Sequence, residues 1–225
     1  VVIMVQPLTP TLLLILDGWG QAPAGPGNAV SIAETPNIDK LLASMPKALL
    51  QCSGRAVGLP EGYMGNSEVG HMNIGAGRVV YQDMTRIDIA IEDGSFAANK
   101  VIAALVESTR QSGGTLHLMG LLSDGGVHSH INHLLALLGT AAKAGVPVAI
   151  HCFMDGRDTG PTSGIGFMRQ LCEALGPNAR IASVIGRYYA MDRDKRWDRT
   201  QKAWNARILG EGRIAPDAVE AVQSA

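Results

Sequence analysis

Cysteine is scarce in this sequence and follows no pattern. The three cysteines, Cys52, Cys152 and Cys172, form no Cys-x-x-Cys pair and are odd in number. A disulfide framework is therefore disfavoured, a reducing compartment fits, and small buried thiols are the expectation. An excess of either charge is also missing, since the formal net charge is −1. No general basic surface is offered to nucleic acid or to an anionic membrane, so any anion site must be a local cluster. Long apolar runs are absent as well. Leu12 to Leu16 is far too short to span a bilayer, and the apolar start carries no basic leader and is interrupted by Pro7 and Pro10. Internal repeats and low-complexity tracts are likewise lacking.

What is present is a globular balance, with 46% apolar and 17% charged residues in a chain of 225. That length allows one large domain or two modest ones. Short apolar runs alternate with longer amphipathic stretches, which predicts an α/β protein with a largely parallel sheet. In the first part the pattern predicts a buried strand over Thr11–Asp17. A helix follows from Pro36 to Met45 with Thr35 as N-cap, and then a short strand near Ala48–Cys52. Residues 54–77 hold seven glycines in 24 positions, too many for a regular element and suited to backbone that closely approaches a ligand. A second series starts after it. Helices are expected over 98–111, 131–144, 163–175 and about 194–209, and strands over 115–122, 148–154 and 180–186. The restart places a boundary near Val79–Asp83, and the first part alone has too few elements to bury a core.

Several residues in this scheme could carry chemistry. Asp17 sits at the carboxyl end of a predicted strand, where it is either a hard-cation ligand or a turn aspartate closing on Gly18. Ser67, in Asn66-Ser67-Glu68, enters a possible short helix. It is either a plain N-cap or a nucleophile whose anionic adduct would face helix amides. No Gly-x-Ser-x-Gly elbow surrounds it, which disfavours an esterase triad. His128, His130 and His133 put three imidazoles within six residues. No cysteine or carboxylate completes a zinc spacing, so a ligand-facing His128 is favoured. Arg157, Asp158, Arg187 and Arg193 lie just past successive predicted strands. Such a row is either a solvated ion-pair surface or a clamp for a small dianion, and its shared topological position favours the clamp.

These residues also carry a family resemblance. LLLILDGWG, GLPEGYMGNSEVGHMNIGAGR, SDGGVHSHINH, DGRDTGP and GRYYAMDRD resemble, in order, the motifs of cofactor-independent phosphoglycerate mutases, over about Thr11 to Asp217. The resemblance implies a phosphatase domain similar to alkaline phosphatase with a transferase domain inserted into it. Residues 1–80 would belong to the first and 81–225 to the second. It implies two manganese ions and no 2,3-bisphosphoglycerate cofactor. Asp17 would be a metal ligand, and Ser67 both a metal ligand and the catalytic acceptor of the phosphoryl group. His128, Arg157, Asp158, Arg187 and Arg193 would bind 3-phosphoglycerate or 2-phosphoglycerate. A cytoplasmic glycolytic isomerase, monomeric when complete, is the implied setting. In the family, the other metal ligands, the strands completing the phosphatase domain and further cationic substrate groups fall beyond the point matching Ala225. Two other readings stand beside it. One is a different metal-dependent phosphatase or phosphomutase of the alkaline phosphatase superfamily, which the SDGGVHSH and GRYYAMDRD motifs disfavour. The other is a non-catalytic phosphoglycerate-binding fragment.

Overall fold

The computed structural model describes residues 9–225. The first eight residues of the apolar start, with Pro7, lie outside them. The chain forms two compact units, residues 1–80 and 81–225, which are described separately.

Unit 1 is built from short helices and turns. Asn28 caps α1 (Ala29–Ile32) by accepting from the amides of Val30 and Ser31. Helix α2 (Pro36–Ser44) starts on proline, whose fixed φ suits a first helical position. Thr35 precedes it, but its hydroxyl donates to Asp39 Oδ1 at 3.1 Å instead of capping the helix. A 3₁₀ turn (Gly54–Val57) and helix α3 (Ser67–Ala76) follow, the latter ended by Gly77 at φ 64°.

Neither strand expected in this unit forms. Residues 11–17 and 48–52 have no strand partner among the described residues, so their backbone groups build no ladder. Leu12, Leu14, Leu49 and Leu50 are accordingly exposed, and Val57 and Val69 are the buried apolar side chains of the unit among the described residues. Gly65 explains one tight crossing. A Cβ there would fall 1.7 Å from the carbonyl oxygen of Cys52, so only glycine lets the two backbones pass.

Unit 2 is an α/β layer structure. Helices α4 (Asp83–Glu92) and α5 (Lys100–Ser112) lead into β1 (Leu116–Leu122). The crossover helix α6 (Ile131–Lys143) then leads to β2 (Val148–Met154), and α7 (Gly164–Ala174) leads to β3 (Ala179–Gly186). The chain closes with α8 (Arg187–Ala190), α9 (Trp197–Trp204), a π turn (Asn205–Leu209) and α10 (Ala218–Gln223). The three strands form one parallel sheet in the order β1-β2-β3. Parallel strands need covered faces, and the central strand shows it: β2 is buried from Val148 to Phe153. Leu122, Ile150, Met168 and Leu171 are almost fully shielded in the main core, each side chain contributing on the order of 1.5–3 kcal/mol. A second cluster of Leu121, Phe153, Ile185 and Ala203 lies on Ala190, Met191 and Ala206.

Cys152 is buried, Cys172 half-buried and Cys52 exposed, so the expected buried thiol is met at Cys152, in part at Cys172 and not at Cys52. Burial pushes the Cys152 thiol up to about 12, which makes it a packing group and not a reactive one. Among the described residues no helix is long and apolar enough to cross a membrane.

Register fixes the business edge of the sheet. Leu122 pairs with Met154, and Met154 with Gly186. The next residues of the three strands are therefore Ser123, Asp155 and Arg187, delivered side by side at the carboxyl end.

Candidate functional site

In unit 1, Ser67 is the first residue of α3, and the cap is Asn66, whose side chain accepts from the amide of Val69 at 3.0 Å. That frees the Ser67 hydroxyl from capping duty. It donates instead to Asp17 Oδ2 at 2.7 Å, across 50 positions of sequence. His71, one turn along α3, places Nδ1 at 3.2 Å from Ser67 Oγ and 2.8 Å from the Ser67 carbonyl oxygen. A carbonyl only accepts, so the shorter contact requires a proton on Nδ1. His71 therefore faces the serine as a donor, and the serine proton is directed at Asp17. All three side chains are solvent-exposed. His71 is the residue that sequence reasoning missed, although its i+4 spacing from a helix-entering serine would have found it.

Asp17 and Ser67 are adjacent oxygen donors, the type a hard divalent cation prefers. Their number does not fit a complete site. Among the described residues no group of three or more His, Cys, Asp or Glu side chains is arranged to hold a metal ion.

In unit 2, the sheet edge carries a charged cluster. Arg187 Nη1 donates to Asp155 Oδ1 and to Asp158 Oδ2, both at 2.7 Å. Ser123 Oγ donates to Asp155 Oδ2 at 2.6 Å, and the amides of Arg157 and Asp158 donate to Asp155 Oδ1 at 3.1 and 3.0 Å. The Asp155 side chain is fully buried, and those of Asp158 and Arg187 are each 13% exposed. Burial pushes the Asp155 carboxyl up, but the bonds from Ser123, the Asp158 amide, Arg187 and the Arg157 amide outweigh it and hold the group at about 2. Burial likewise acts to lower the Arg187 value, and its bonds to Asp158 and Asp155 more than restore it. The pair is thus charged on both sides at neutral pH. His128 Nε2 lies 3.8 Å from Asp158 Oδ2 and is partly exposed. The loops approach so closely that a Cβ on Gly125 would sit 3.1 Å from Asp158 Cβ.

The structure thus brings His128, Asp158 and Arg187 together. Arg157 joins them through its backbone, while its side chain, like that of Arg193, is exposed and forms no ion pair among the described residues. The neighbouring imidazoles have separate duties. His130 caps α6 by accepting from the Asn132 amide, and His133 binds Asp88 at 2.7 Å. Sequence reading took Asp155 only as part of a motif and passed over Ser123. Their shared position directly after paired strands was the available signal.

The family described as the BPG-independent PGAM N-terminus matches residues 87–225. A 2,3-bisphosphoglycerate-independent phosphoglycerate mutase of Nitratidesulfovibrio vulgaris is 63% identical over 220 residues, covering 97% of this chain and 43% of that protein. One from Thermomicrobium roseum is 56% identical, covering 94% of this chain and 41% of its own length. A crystal structure of Leishmania mexicana phosphoglycerate mutase at low cobalt concentration superposes with a TM-score of 0.65 and 38% identity, covering 93% of this chain and 40% of that one. The chain spans less than half the length of these relatives. With a parallel α/β sheet and high identity across nearly its full extent, the chain belongs to the BPG-independent phosphoglycerate mutase family and matches the family model of the amino-terminal region.

Proposed function

We propose that this chain carries the nucleophile and part of the substrate site of an isomerase that interconverts 3-phosphoglycerate and 2-phosphoglycerate. In this reading unit 1 belongs to the phosphatase domain and unit 2 to the transferase domain. The single observation that supports it most is the Ser67–Asp17 hydrogen bond at 2.7 Å. A serine at the first turn of a helix, with its hydroxyl turned toward a carboxylate, suits a phosphoryl acceptor. Ser67 Oγ forms a bond to phosphorus in line with the breaking bond to the C3 oxygen of the glycerate. The serine proton passes by way of Asp17 Oδ2 to the departing C3 oxygen, which leaves as the C3 hydroxyl. The glycerate reorients, its C2 hydroxyl oxygen bonds to phosphorus as the phosphorus–Oγ bond breaks, and the C2 hydroxyl proton returns by way of Asp17 to Ser67 Oγ. The helix amides at the start of α3 favour the anionic adduct.

His128, Arg157, Asp158, Arg187 and Arg193 hold the glycerate and its phosphate. Manganese is the metal implied, with Asp17 and Ser67 among its ligands. When bound it would lower the serine pKa and neutralise phosphoryl charge. The donors here are too few for that site, so no step above runs through it. The setting is glycolysis in the cytoplasm, without 2,3-bisphosphoglycerate.

The test is a chimera in which this chain replaces the matching segment of the Nitratidesulfovibrio vulgaris relative. A coupled assay from 3-phosphoglycerate should show turnover, and Ser67→Ala should lower it by at least about 10³-fold. Mass spectrometry of the stalled chimera should find phosphate on Ser67. Turnover surviving in the alanine variant would remove Ser67 from this role.

A further inference from the structure

Arg187 is held by Asp158, which is proposed to meet the ligand, and by Asp155, which is not. Both of its bonds use Nη1, whose two protons are satisfied by Asp155 and Asp158. Among the described residues this leaves Nη2 and Nε without a partner, as the free fork of the guanidinium. Asp155 is the common anchor. Its Oδ1 accepts Arg187 Nη1 and the amides of Arg157 and Asp158, and its Oδ2 accepts the Ser123 hydroxyl. One buried carboxylate thus joins the end of β1, the turn after β2 and the first residue after β3. It is itself too deeply buried to touch a ligand.

We propose that Asp155 is a positioning residue that fixes the Arg187 guanidinium and the Arg157–Asp158 turn in one geometry for recognition of the phosphoglycerate anion. The inference rests on the reading of this cluster as the phosphoglycerate site. The physical reason is preorganisation. A flexible arginine loses rotamer freedom on binding, whereas one already held by a buried carboxylate has lost it during folding. Asp158 alone could not do this, because it lies on the same turn whose shape Asp155 sets through two backbone amides.

The experiment uses the 225-residue chain and two readouts. The first needs no ligand: in ¹⁵N–¹H spectra the Arg187 guanidinium should give resolved, slowly rotating Nη signals. They should average or vanish in Asp155→Asn, while the β2 amides keep their shifts. The second is an NMR titration with 3-phosphoglycerate, in which Asp155→Asn should weaken binding roughly tenfold or more, as expected for loss of a charge-assisted contact. Asp155→Glu keeps the charge but displaces it by a methylene, so it should fail to rescue either readout. A purely electrostatic role would be rescued. Should Asp155→Asn fold poorly, Ser123→Ala frees Oδ2 alone and should still loosen the Arg187 signals and weaken binding several-fold. Resolved Arg187 signals and wild-type affinity in Asp155→Asn, or in Ser123→Ala, would overturn the proposal. If the signals respond while the wild-type chain shows no phosphoglycerate binding, the ligand reading fails and the anchoring geometry stands. If Arg187→Lys weakens binding and Asp155→Asn does not, the positioning role fails and the ligand reading stands.

Discussion

The two units hold their candidate groups in opposite ways. In unit 2 the Arg187 cluster is rooted in three paired strands, and its anchor Asp155 is fully buried. In unit 1 the Ser67–Asp17 pair rests on exposed side chains, a ten-residue helix and a segment without strand partners among the described residues. The difference is one of apolar burial. Unit 2 has a continuous core from Val106 to Leu171, whereas unit 1 buries Val57 and Val69 among its described residues and exposes Leu12, Leu14, Leu49 and Leu50. Burial is what offsets chain entropy, so a hydrogen bond in unit 1 is held by little besides itself. The two candidate clusters thus draw on unequal reserves of stability.

The largest expected consequence is in hydrogen exchange. Amides of β2 should exchange only through global opening of unit 2, and those of α3 through local opening. With a typical domain stability of several kcal/mol, the rates should differ by about 10³-fold or more. Mass spectrometry of exchanged fragments reads this directly. Similar protection in α3 and β2 would erase the contrast between the units.

Core truncation sharpens the same comparison. Leu171 on α7 is 0% exposed, and Leu171→Ala should destabilise unit 2 by about 2–5 kcal/mol through lost burial and the cavity left behind. Val69→Ala, in the other unit, should leave the urea midpoint of that transition within about 0.5 kcal/mol of wild type. A shared loss from both variants would mean the units unfold as one.

Sequence legibility divides along the same line. Strand β2 is placed at Val148–Met154 by its apolar run alone, and the observed strand has those bounds. Helix α6 differs from expectation by one residue at its carboxyl end and α7 by one residue at each end. Those elements are legible because local pattern and tertiary burial agree. In unit 1 they do not. The run Leu12–Leu16 has the composition of a strand, but a strand is a property of a pair, and sequence pattern does not supply the neighbour. Helix α4 is not among the expected helices because its ten residues, beginning Asp83-Met-Thr-Arg, mix polar and apolar side chains just after the boundary placed near Val79–Asp83. At the sheet edge, the position of Arg187 beside the loops after β1 and β2 was legible from topology, because three strands in parallel must release their next residues together. Which arginine is held and which is free was not, since Asp155 and Ser123 act through contacts 32 positions away.

A pH titration tests the anchoring by burial from another side. The folded Asp155 carboxyl sits at about 2, below its ordinary value near 3.9 in an unfolded chain. A lowered folded value stabilises the protein above the unfolded value and loses that contribution as pH falls through the folded one. About 2–3 kcal/mol of unit 2 stability should therefore be present at neutral pH and disappear between roughly pH 4 and pH 2. Glu107 is also held at about 2 by Arg110, but in solvent, so Asp155→Asn against wild type isolates the buried group. Urea midpoints across this window should converge at low pH. Parallel curves would show that the Asp155 charge contributes nothing to unit 2.

The smallest expected effect separates a held arginine from a free one. Arg187 is nearly buried and bonded to two carboxylates, so Arg187→Lys should cost both stability and phosphoglycerate affinity. An ammonium cannot span Asp155 and Asp158 and still present a planar fork. Arg193 is exposed and forms no ion pair among the described residues, so no native contact depends on its guanidinium. Arg193→Lys should then leave the unfolding midpoint within about 0.5 kcal/mol of wild type. Its whole cost should fall on the ligand: about 1–3 kcal/mol of binding free energy for one lost charge-assisted contact. Denaturation and a 3-phosphoglycerate titration on the same samples give the two numbers side by side. A stability loss in Arg193→Lys equal to that in Arg187→Lys would show that Arg193 is structurally engaged, and unchanged affinity would remove it from the phosphoglycerate clamp.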